Sequence, residues 1–82
     1  MLNRKKNANR ASILFKNGVS EDFVTDCLRL EHVLSCSGNG SNHVQFLLEE
    51  VPGESPFKLP EGFVKIVMAA DPIGVQLARV TI

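Results

Sequence analysis

The chain has little cysteine and no long apolar run. Its 82 residues include two cysteines, too few for the disulfide framework of a small secreted domain. No C-x-x-C pair occurs, so structural zinc and thioredoxin-like redox chemistry both lose their usual spacing. No apolar stretch approaches the ~18 residues that a membrane-spanning helix needs. The opening MLNRKKNANR is polar and basic with no apolar stretch behind it, which does not match a signal peptide. These absences lead to the expectation of a cytoplasmic protein with reduced thiols, no cofactor and no membrane association.

Acidic residues are absent from the first sixteen positions, which carry Arg4, Lys5, Lys6, Arg10 and Lys16. The formal net charge of zero therefore hides about +5 at the head and about −5 over the body. Such a head suits nucleic acid or an anionic surface, and equally a solvated tail. No aromatic side chain interleaves the basic cluster, so it offers no stacking platform for single strands.

What is present fits one small domain with an ordinary apolar fraction of 44%. Residues 1–9 read as a basic flexible tail, and 10–82 as the globular domain. RASILFK (10–16) is a short apolar run stopped by Asn17-Gly18, as in a strand. Ser20 then offers a helix cap, with Glu21 and Asp22 at the positive end of the dipole. Val19 and Val24 have the spacing of a hydrophobic staple. Phe23, Cys27, Leu30 and Leu34 continue a helical stripe, and Gly38 can close it. The pattern predicts one amphipathic helix at about 20–36. The rival reading is all-β, with 28–36 and 43–51 as a hairpin.

HVQFLLEEV (43–51) is strand-like, and PGESPFKLPEGF carries three prolines that forbid regular structure. FVKIVMAADPIGVQLARVTI reads as two strands around a type I turn at Asp71-Pro72, with Gly74 in a left-handed bulge. That register makes one face apolar and leaves a mixed face bearing Val67 and Leu77. The expected fold is α+β in the order β-α-β-β-β, one helix on a mostly antiparallel four-stranded sheet.

CLRLEHVLSCSGNGSNH holds both cysteines and both histidines. On a helix or on a strand, Cys27 parts from His32 and Cys36, so four ligands cannot converge from regular structure. Only His32, Cys36 and His43 survive as a candidate metal trio. A nucleophilic Cys36 with His43 as base would sit at a helix C-terminus, where the dipole disfavours a thiolate. SGNGSN follows a helix instead of preceding one, so it does not cradle phosphate. No catalytic or cofactor-binding residue is assigned.

Three functional classes remain. The preferred one is a small non-enzymatic binding or regulatory protein acting through protein contacts as a homodimer. Its expected contact residues are Phe57 and Leu59 in the proline-bearing loop and Val67 and Leu77 on the hairpin. The second is a nucleic-acid-binding module using Arg4, Lys5, Lys6, Arg10 and Lys16. The third is a small enzyme with its site at a dimer interface.

Overall fold

A computed structural model describes residues 7–38, 40–51, 53 and 57–82. The elements are β1 (Asn7–Phe15), α1 (Glu21–Leu28), β2 (Val33–Ser37), β3 (His43–Glu49), α2 (Glu61–Ala69) and β4 (Pro72–Thr81). The strands form one sheet in the order β2-β3-β1-β4, with every neighbouring pair antiparallel. A β-α-β-β-α-β succession in this order is the split βαβ arrangement of ferredoxin-like folds. The expected α+β class and four-stranded antiparallel sheet are both present. Among the described residues, no helix is long and apolar enough to cross a membrane.

β1 takes the middle of the sheet because its sequence alternates. Ala11, Ile13 and Phe15 face the helices and are buried, while Arg10, Ser12 and Leu14 point to the opposite, uncovered face. The strand begins earlier than the tail reading allowed: Asn7, Ala8 and Asn9 pair with Thr81, Val80 and Arg79. α1 starts where its cap lies. Ser20 Oγ accepts from the Phe23 N–H at 3.1 Å, and Val19 and Val24 both enter the core.

The predicted 20–36 helix is corrected to eight residues, ending at Leu28. His32 then takes a left-handed φ of 70°, and Val33–Ser37 pairs with β3. The helical stripe and the rival hairpin are therefore each right for part of one segment. Gly38 does not cap the helix. It stands at the β2–β3 turn, with φ of 102°.

The predicted C-terminal hairpin does not form. Residues 61–69 are helix α2, and β4 pairs with β1 instead. Phe63 and Val67, one helical turn apart, are buried. The β-branched run in VKIVM imitates an alternating strand, which is why the sequence misleads here. A crossover is also required, because β3 and β4 run parallel with β1 between them. Asp71-Pro72 ends α2 in place of turning a hairpin: Asp71 takes φ of 58° and its N–H bonds Met68 O at 3.2 Å. Gly74 lies within the strand opposite Leu14 and has no positive φ.

The core lies between the helices and one sheet face. Four phenylalanines run through it edge to face, Phe15–Phe23–Phe46–Phe63, with centroids 5.5, 6.5 and 5.0 Å apart.

Candidate functional site

The cysteine and histidine cluster is dispersed by the fold. Cys36 sits opposite buried Phe46 and so faces the helices, whereas His43 sits opposite Leu14 on the uncovered face. The sheet separates them. His32 occupies the α1–β2 turn, near Glu31 at 3.7 Å and Glu49 at 3.9 Å. The trio His32, Cys36 and His43 is thus not assembled, and among the described residues no three His, Cys, Asp or Glu side chains are placed to hold a metal.

Cys27 is fully buried in the core beneath α1. Burial, then the neighbouring Cys36 and Asp26, push its thiol from 9.0 up to about 11. Burial also raises the Cys36 thiol. Both are shifted away from the thiolate that nucleophilic chemistry needs. The folded protein holds the Cys27 proton more tightly than the unfolded chain does. This contribution to stability is intact below pH 9 and is lost as pH rises toward 11, at about 1.4 kcal/mol per unit. Urea melts of the wild type should therefore weaken more steeply over that range than those of Cys27→Ala. Equal slopes would remove the assignment.

The expected contact residues separate in the same way. Val67 is 3% exposed and belongs to the core, so it is withdrawn from any binding surface. Leu59 packs partly against the core. Phe57 and Leu77 are exposed. Of the basic residues, Arg10 lies exposed on the uncovered sheet face and Lys16 follows β1 into the loop. Arg4, Lys5 and Lys6 lie outside the described residues, as do Pro52 and Pro56 of the proline-bearing loop.

Around Leu77 the fold builds a surface that the sequence does not announce. β4 is a ten-residue edge strand. Val75 and Leu77 pair with Ile13 and Ala11, so they point to the helix side. α2 does not cover them. Its Phe63 ring packs on Phe46 of β3, nearer the middle of the sheet. Val75 stays 47% exposed, Leu77 38%, and Ile73 at the irregular start of the strand 64%.

Val64 and Met68 stand one position beyond the buried Phe63 and Val67, and both are exposed. With right-handed crossovers, that step around the helix turns toward the β4 side of the sheet. Exposed apolar side chains thus stand both on the flank of α2 and on the helix side of the sheet edge. An open cleft of about 500 Å³ lies toward the opposite, uncovered face at the same end of β4, lined by Leu14, His43, Gly74, Val75 and Gln76. Among the described residues that line it, His43 is the titratable side chain.

At the lower end of β4, Arg79 Nε approaches Glu50 Oε1 at 3.1 Å, although the angle is not that of a hydrogen bond. Opposite Arg79 lies Asn9, fully buried, with neither amide atom partnered among the described residues. Comparison with protein families, curated proteins and solved structures gives no match to this chain.

Proposed function

We propose that this is a small non-enzymatic binding or regulatory protein that works by contact with another polypeptide chain. The observation that carries this reading is β4: a long edge strand with an open backbone row and exposed Ile73, Val75 and Leu77 beside it. With the exposed apolar side chains of α2, the edge makes a surface of the kind that recognises a strand by main-chain hydrogen bonds and side-chain pockets. The uncovered sheet face differs in character. Its central row is Ser37, Gln45, Ser12 and Gln76, with no aromatic side chain.

A photoreactive benzophenone side chain placed at position 77 in living cells tests the reading. Irradiation should give discrete polypeptide adducts from position 77 and none from position 45 on the uncovered face. Adducts from both positions, or from neither, would refute it.

A further inference from the structure

Resting on the binding reading above, we propose that the cleft beside Gly74 and the apolar row of β4 form one self-complementary surface. A second copy of the chain lays its β4 antiparallel along this edge, about a two-fold axis at Val75, and its Gln76 enters the cleft.

The cleft exists because Gly74 has no side chain. On the uncovered face Gly74 stands next to Leu14, and Leu14 next to His43. Val75 and Gln76 complete the rim of an open space of about 500 Å³ at the outer strand of the sheet. A strand that fits this edge carries a long side chain opposite Gly74 and apolar ones opposite Ile73, Val75 and Leu77. The edge is open to such a strand, because Ile73–Ala78 contains no charge and no proline to blunt it. β2, at the other edge of the described sheet, is five residues long and irregular between Val33 and Ser35.

β4 itself has that chemistry. Residues opposite one another in an antiparallel pair share a face, so a two-fold axis passes beside one residue and its twin. About Val75, each Gly74 faces the partner's Gln76, whose chain reaches over the glycine toward Leu14. On the helix side the two Val75 side chains meet, and Ile73 faces the partner's Leu77. Arg79 comes level with the partner's Asp71, an opposite charge just beyond the end of α2. The bulge that opens β4 lies at Ile73, so the Val75 pair and the Gly74–Gln76 pairs fix the register. Neighbouring axes lose these pairs. An axis at Gly74 sets Leu77 level with the partner's Asp71. One at Gln76 sets Ile73 against the partner's Arg79, one at Leu77 sets Val75 there, and one at Ala78 sets Leu77 there. Only the Val75 axis keeps Ile73, Val75 and Leu77 among themselves. Closed two-fold pairing of this kind is the commonest assembly of soluble chains.

The experiment is sedimentation of the full chain together with site-directed cross-linking in a Cys36→Ser background, where the remaining Cys27 is fully buried. The wild type should sediment at twice its 9.0 kDa chain mass. Val75→Cys should cross-link to its twin under mild oxidation, because facing Cβ atoms lie ~4.5–5.5 Å apart. Leu77→Cys should not, since residue 77 and its twin would be offset by four residues, about 13 Å. Val75→Lys, at an exposed site outside the core, places two ammonium groups face to face. With an unchanged circular dichroism spectrum, it should raise the dimer dissociation constant about tenfold or more, the effect easing in high salt. A monomer at all concentrations overturns the proposal. So does a dimer in which Leu77→Cys cross-links as readily as Val75→Cys, or one indifferent to Val75→Lys. A monomer that still gives adducts to another polypeptide from position 77 would end the self-pairing proposal and leave the binding reading standing.

Discussion

Gly38→Val is expected to destabilise the domain by about 3 kcal/mol or more, while Gly74→Val stays within about 0.5 kcal/mol of the wild type. The two glycines look alike in the sequence and do opposite jobs. Gly38 holds φ of 102°, and a Cβ built there would meet His43 O at 2.6 Å. Both terms are backbone, so no side chain can move to relieve them. Gly74 is extended, and its Cβ would meet only Leu14 Cβ at 3.8 Å, an ordinary contact on an exposed strand. Valine there also suits a pleated surface. Urea midpoints of the two variants decide the matter. Comparable losses would overturn the distinction drawn between the two glycines.

Asn9→Leu is expected to raise stability by about 2–4 kcal/mol, because it removes one buried amide whose N–H₂ donor and C=O acceptor have no partner among the described residues. Each such group costs roughly 1–3 kcal/mol, and leucine has a similar shape. The side chain is fully buried, opposite Leu48 on one neighbouring strand and Arg79 on the other. In a domain of this size each kilocalorie moves the melting temperature by about 4–8 °C. An unchanged m-value with a raised urea midpoint is the signature of a gain in the native state. A lower midpoint would show that the amide is held in place by bonds that leucine cannot make.

Local chemistry was the most legible part of the fold. The Ser20 cap, the Val19–Val24 staple and the alternation of β1 and β3 each depend on residues close in sequence, and each is found where expected. The misreadings come from segments whose partner is distant. VKIVM has strand-like composition, yet its helical spacing of Phe63 and Val67 meets a core already holding Phe46. Asp71-Pro72-Ile73-Gly74 spells a turn, and the chain uses its first two residues to leave a helix. The exposed apolar residues at the β4 edge are only partly legible in the sequence. Leu77 stands out on the mixed face of the expected hairpin, but the exposure of Val75, Val64 and Met68 follows only from knowing that β4 is an edge and α2 a helix. The histidine and cysteine cluster was visible as a pattern, and periodicity alone had already pulled Cys27 away from it.

The central place of β1 also shapes how the domain folds. β1 needs β3 on one side and β4 on the other, and Asn7 ends up opposite Thr81. The β2–β3 hairpin and the two helices close short loops and form early, whereas β1 and β4 are joined only after a search across almost the whole described chain. Contacts this distant in sequence carry a larger loop-closure cost than the local ones, which slows folding relative to a helical bundle of the same size. Until that last pairing is made, the strand at the heart of the finished sheet has one side unprotected, which is the interval in which chaperones or aggregation compete for it.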